Sequence, residues 1–225
     1  MPPPKLKDAV AALEKAYGKP APFPSSDPWE LILRENAAYL VDDGTRDEVF
    51  RSLVSRVGTS PEAILGAPRE RLVSAIAKGG MKPPMRADKL ALAAEIAQEV
   101  GLTELRALAR RGGPAARKVL KKFPGIGDPG ADKLLLAAGS AVTLAPDSNA
   151  LRVLVRLGFA KEEASYDRTY RAAAEAVAPQ LPAAHAWLAA AHQLLRRHGQ
   201  ETCRRTNPLC DVCPLAKACA FAHGR

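Results

Sequence analysis

The chain is 225 residues long and 47% apolar, enough for one large core or two small ones. Its net charge of +9 makes an anion, nucleic acid first, the expected partner. No apolar run approaches the ~20 residues of a membrane span, and the opening Met-Pro-Pro-Pro-Lys-Leu-Lys lacks the apolar core of an export signal, so a cytoplasmic protein with no membrane partner is expected.

Aromatic residues make up 5% of the chain, and Ala, Leu, Glu, Arg and Lys dominate. Apolar positions recur with a helical period far more often than they alternate. In chain order, helices are predicted at Asp8–Tyr17, Pro28–Val41, Arg46–Val57, Pro61–Leu65, Arg69–Ala77, Ala87–Glu99, Glu104–Arg110 and Ala115–Lys121. Further helices follow at Ala131–Ala138, Asn149–Leu157, Tyr166–Ala178 and Pro182–His198. Gly and Pro punctuate them, so the fold class is all-α, built from many short helices.

Lys121-Lys122-Phe123-Pro124-Gly125-Ile126-Gly127-Asp128-Pro129 joins two of these helices. Gly125 and Gly127 permit a tight turn and let a phosphate approach the backbone amides. Asp128 reads as an N-cap and Pro129 as the first helical residue, so the positive end of a helix points at the same spot, with Lys121 and Lys122 beside it. An ordinary helix–turn–helix connection has the same appearance. Twenty positions after Gly127, Ala145-Pro146-Asp147-Ser148-Asn149 opens another helix, which Asp147 is placed to cap.

All four cysteines lie near the end: Cys203, Cys210, Cys213 and Cys219, reading C-x6-C-x2-C-x5-C. Soft thiolates select iron–sulfur clusters, zinc or copper(I), and four of them suit a 4Fe-4S cluster. Structural zinc more often takes two short Cys pairs separated by a longer loop. Disulfides are the remaining option, although a chain of this length does not need staples.

The hairpin, the aspartate segment and the cysteine loop, in this order, resemble the endonuclease III family of DNA glycosylases, part of the helix-hairpin-helix superfamily. The resemblance covers nearly the whole chain. It implies two helical lobes: a helical barrel at about 26–138, with the hairpin at 115–138, and a cluster lobe of 1–25 plus 139–225, with the cluster loop at 203–219. It further implies double-stranded DNA containing a lesion or mismatch, bound in a cleft between the lobes. The 4Fe-4S cluster would be held by the four cysteines, and the protein would be a nucleoid-associated monomer of base excision repair.

The residues also indicate a chemistry. Bifunctional members of the family carry a lysine two positions after the second hairpin glycine, where this chain has Pro129; proline offers no amine for a Schiff base. A monofunctional, hydrolytic reaction is implied instead, with Asp147 stabilising the sugar cation and positioning water. Glu35 stands where the mismatch adenine glycosylases carry their catalytic glutamate and would protonate the leaving base. Asp147-Ser148-Asn149 likewise resembles those enzymes' Asp-Gly-Asn and brings in Asn149. A purine is the favoured base.

Lys133, one helical turn after Pro129, is the candidate for a residual lyase activity on oxidised pyrimidines, the alternative function. A lesion-binding protein without catalysis is the third. Tyr39 and Leu40, at the end of the Glu35 helix, are candidates for stacking on a flipped base and filling its gap. Gly80, in Gly79-Gly80-Met81-Lys82, and Arg204 and Arg205, in the cysteine loop, are candidate backbone contacts. So are Gly125, Ile126, Gly127, Lys121 and Lys122, with Arg196, Arg197 and His198 as further basic neighbours.

Overall fold

The computed structural model describes residues 2–224; Met1 and Arg225, the outer ends of the expected cluster lobe, lie outside them. The described residues form helices and turns without strands, and the chain is all-α. It makes two compact units, one spanning Pro24–Ser140 and the other joining the stretch up to Phe23 to that from Ala141 onward.

The Pro24–Ser140 unit contains α2 (Pro28–Ala37), α3 (Asp43–Arg56), α4 (Pro61–Gly66), α5 (Arg69–Ala75), α6 (Pro83–Val100), α7 (Leu102–Arg111), α8 (Gly113–Leu120) and α9 (Asp128–Ala137). Two of its helices begin where a polar cap meets a proline. Asp27 accepts from the Trp29 N–H at 2.9 Å with Pro28 following, and Ser60 does the same for α4 ahead of Pro61. Ile32, Leu33, Leu53, Ile64, Ile76, Leu90, Leu105, Leu120, Phe123 and Leu134 are buried together in its core. Trp29 fills the layer beside Phe123 and donates its indole N–H to the Thr59 carbonyl at 2.7 Å.

The other unit contains α1 (Leu6–Tyr17), α10 (Ser148–Leu157), α11 (Tyr166–Val177), α12 (His185–Glu201) and α13 (Ala220–His223). Leu6, Leu13, Leu154, Leu157, Tyr170, Leu194 and Leu195 form its core. Helices α10 and α12 are its central pair. Gly199 sits on α12 where any Cβ would collide with the Asn149 backbone, so only glycine admits this crossing.

Most expected helices recur with shifted ends, the last running His185–Glu201 rather than Pro182–His198, and three of the shifts have a visible local cause. The one beginning at Pro28 stops at Ala37, not Val41: Ala38 is extended, Leu40 adopts a left-handed φ of 56°, and Asp42 caps the next helix through the Thr45 N–H. The helix expected from Ala87 begins at Pro83, because two prolines in a first turn forfeit no hydrogen bond. Asp128 is helical, and Gly127 is the cap residue of α9; the Asp128 carboxylate instead meets Lys121 Nζ at 2.5 Å.

Candidate active site

The hairpin between α8 and α9 is held from below. Ile126 is buried and its N–H donates to the Phe123 carbonyl at 3.2 Å, so its side chain anchors the turn. Gly125 has a φ of 76°, which favours glycine, and a Cβ there would lie 3.3 Å from Asn36 Oδ1. Asn36 is buried and donates its Nδ2 to the Ile32 carbonyl at 2.9 Å, so the residue next to Glu35 is wedged beneath the turn. The N–H groups of Gly125 and Gly127 meet no acceptor among the described residues. Lys122 is exposed, whereas Lys121 is engaged by Asp128.

Helices α2 and α9 bring Glu35 and Lys133 together, with Oε1 2.5 Å from Nζ and both side chains more than two-thirds covered. Arg34, the sequence neighbour of Glu35, pairs with Glu30 at 2.9 Å and Asp47 at 2.6 Å. Pro129 occupies the second position of α9, one turn before Lys133.

Beyond the end of α2, Tyr39 and Leu40 lie on an exposed loop rather than a helix face. Tyr39 is 57% and Leu40 72% exposed, which rules out packing of Tyr39 in the core. Across from them runs the Gly79–Met81 turn, whose Gly79 carbonyl accepts from the Tyr39 N–H at 2.8 Å. Gly80 has a φ of 101°, and a Cβ on it would collide with the Tyr39 carbonyl. Arg86 joins the two loops. Buried at 3% exposure, it donates to the carbonyls of Ala37, Gly80 (2.9 Å) and Met81 (2.9 Å), and burial lowers its pKa. Met81 is 62% exposed beside Gly80. Leu40 and Met81 are therefore two bare apolar side chains on loops fixed by one buried guanidinium.

In the other unit, Asp147 caps α10: Oδ1 accepts from the N–H groups of Asn149 (2.9 Å) and Ala150 (2.8 Å). Its second oxygen lies 3.2 Å from Arg196 Nε and 3.4 Å from Asn149 Nδ2. Asn149 Oδ1 in turn accepts from Arg152, whose guanidinium also holds the carbonyls of Gly199 and Cys203. Burial, and then the negative charge of Asp147, push the Tyr166 phenol up to about 12. Just before the site, Ala145 has a φ of 45°, strain that an alanine rarely carries. A groove of ≈ 1070 Å³ runs past Ser148, Lys161, Tyr166 and Arg205.

The four cysteines are unbridged and line one apolar cavity with Val153, Leu157, Leu215 and Phe221. N–H groups face two of the sulfurs, from Arg156 to Cys203 and from Leu215 to Cys213, each at 3.4 Å. Such donors stabilise thiolates held by a metal. Among the described residues, no three His, Cys, Asp or Glu side chains close on a point as a single ion requires. Four thiols around a shared cavity fit a group in which each sulfur takes its own iron.

Arg204 and Arg205 are exposed, with their carbonyls held by Arg156 at 2.7 and 3.1 Å. Of the basic residues before the loop, none is a plain surface charge. Arg196 meets Asp147, Arg197 meets Glu201 and the Tyr17 ring, and His198 is buried with its pKa pushed down to about 4 by desolvation.

Arg86 and Asn36 are residues that the sequence did not single out, and Arg196, expected only as a basic neighbour of the loop, pairs with Asp147. The only local signal was the polar Asn36 in a predicted apolar helix. Arg86 and Arg196 act on partners far away in the chain.

One unit thus carries a Gly-x-Gly turn between two helices, and the other carries a capped aspartate and a four-cysteine loop. No family model matches the chain. Endonuclease III of Rickettsia conorii is 32% identical over 106 residues, 46% of each protein, so the chain spans about half the length of such curated relatives. Thymine-DNA glycosylase of Aeropyrum pernix is 29% identical over 205 residues, 88% of this chain and 84% of that protein. The solved structure of a trapped endonuclease III–DNA covalent intermediate superposes with a TM-score of 0.77 at 19% identity, over 98% of this chain and 96% of that one, and so speaks for the fold. The chain is thus similar in sequence to endonuclease III and to a thymine-DNA glycosylase, and it shares the fold of the solved endonuclease III structure.

Proposed function

We propose that the protein is a monofunctional DNA glycosylase of base excision repair, which takes a damaged or mismatched base, a purine by preference, out of duplex DNA and hydrolyses its N-glycosidic bond. One observation carries this reading. Proline stands at the position of the family's attacking lysine, while Glu35 is retained and held by Lys133. Asp147, with one oxygen fixed by the α10 amides, would use the other to stabilise the sugar cation and take a proton from water. That water adds at C1′ as the C1′–N bond breaks. The Glu35–Lys133 pair would give its proton to the departing base, and a purine ring nitrogen is the acceptor that suits it.

Positioning would fall to groups that carry no base information: the Gly125 and Gly127 amides, Lys122, and Arg204 and Arg205 on backbone phosphates. Leu40 and Met81 would fill the gap left by the flipped nucleotide. Cys203, Cys210, Cys213 and Cys219 would hold a 4Fe-4S cluster and so fix the loop that carries Arg204 and Arg205. The protein would act as a monomer.

Incubation with duplexes that each contain one lesion or mismatch, followed by mass spectrometry of the released base, tests the assignment. Release of a free purine, lost in E35Q and D147N, is expected. Tight lesion binding with no base released from any duplex would replace it with a non-catalytic reader.

A further inference from the structure

The structure places a hydrogen-bond chain against one of the four sulfurs. Tyr17, the last residue of α1, has its hydroxyl 2.7 Å from Thr202 Oγ1 and 2.7 Å from His198 Nδ1. The opposite ring nitrogen of His198, Nε2, lies 3.6 Å from Cys213 Sγ. His198 is 1% exposed, so water does not stand in for either partner.

We propose that Thr202, Tyr17 and His198 form a one-way relay that fixes His198 as an Nε2–H donor to the Cys213 thiolate and so sets the reduction potential of the cluster. The proposal rests on the reading that the four cysteines hold that cluster. Its directional logic is chemical. A metal-held thiolate is an acceptor only, so a lone pair on Nε2 facing it would be repelled and the proton must sit there. Nδ1 is then the acceptor, and the Tyr17 O–H donates to it. The phenol oxygen is left to accept from the Thr202 hydroxyl. Each polar atom in the chain is used once, and the tautomer of a buried imidazole is determined by a tyrosine from the far end of the sequence.

The consequence has a sign. Reduction adds negative charge to the cluster and its sulfurs, and an N–H donor stabilises that more negative state, so the donor raises the potential. Cys213 also accepts from the Leu215 N–H at 3.4 Å, a backbone donor that side-chain substitution leaves in place. The His198 contribution is therefore separable.

The experiment compares purified full-length protein with Tyr17→Phe and His198→Phe by iron and sulfide analysis and by protein-film voltammetry. In variants loaded with four irons, His198→Phe is expected to lower the midpoint potential by roughly 59 mV, a tenfold change in a one-electron equilibrium. Tyr17→Phe, which frees the tautomer while keeping the ring, is expected to lower it by a smaller amount. Unchanged potentials in fully loaded variants would overturn the relay. Should His198→Phe fail to load, Tyr17→Phe decides alone. Wild-type protein containing zinc or no metal would sink the cluster reading itself, an outcome distinct from a loaded cluster with an unmoved potential.

Discussion

Glu35 Oε1 and Lys133 Nζ lie 2.5 Å apart, joining α2 to α9 across 98 positions of sequence. The contact gives meaning to the proline at 129. On the proposed reading, the amine that remains near the carboxylate is its partner rather than a free nucleophile, and the two would share the task of handling a proton.

Substitution of either partner should therefore damage the chemistry more than the fold. E35Q and K133M are expected to lower single-turnover base release by about 10²–10⁴-fold, the range for a positioned acid or base. Their affinity for lesion duplex should stay within a few-fold of wild type. The check is excision rate and binding measured on the same preparations.

Asp147 has two separable duties. Asparagine is as good an N-cap as aspartate, so D147N should keep thermal stability close to wild type while excision falls about 10²-fold or more. D147A should lose the cap as well, at a cost of about 1 kcal/mol in a denaturation series. Equal activity of D147N and wild type would remove Asp147 from the chemistry.

Arg86 is where a buried charge supports two exposed loops. R86M leaves the carbonyls of Ala37, Gly80 and Met81 without their donor and should destabilise the protein by about 2–4 kcal/mol, on the scale of lost buried hydrogen bonds. L40A removes a side chain that is 72% exposed and should leave stability within ~0.5 kcal/mol while weakening selective binding to lesion duplex. Calorimetry alongside binding to matched and lesion duplexes separates the two effects.

Arg204 and Arg205 project from the loop that the four cysteines would gather. R205A should reduce the slope of log affinity against log salt by about 1, uniformly across sequences, as expected for one lost phosphate contact. Removal of the iron by a chelator should lower the slope further, because it frees the whole 203–219 loop. Titrations at several salt concentrations provide the comparison.

The helices were legible because their boundaries are written locally, as in Asp27-Pro28, Ser60-Pro61 and Gly158 at the end of α10. The turn at Gly125 was legible for the same reason. The early end of α2 was not, since Ala37, Ala38 and Leu40 are good helix formers. What breaks the helix there is the Arg86 guanidinium on the Ala37 carbonyl, 49 positions away. The candidate site divides along the same line. Glu35, Asp147 and the cysteines stand out by residue type and order, whereas their partners Lys133, Arg196 and His198 are brought to them by packing. His198 reads in sequence as one more basic residue, and only its burial shows otherwise.

The central claim is that water, not an amine, attacks the sugar. The most direct test is to incubate the protein with its cleaved lesion duplex in the presence of borohydride, then analyse the strands with and without hot alkali. No covalent protein–DNA adduct is expected, and strand breaks are expected only after alkali. A borohydride-trapped adduct, with breaks that need no alkali and both abolished in K133M, would contradict it and make Lys133 the nucleophile.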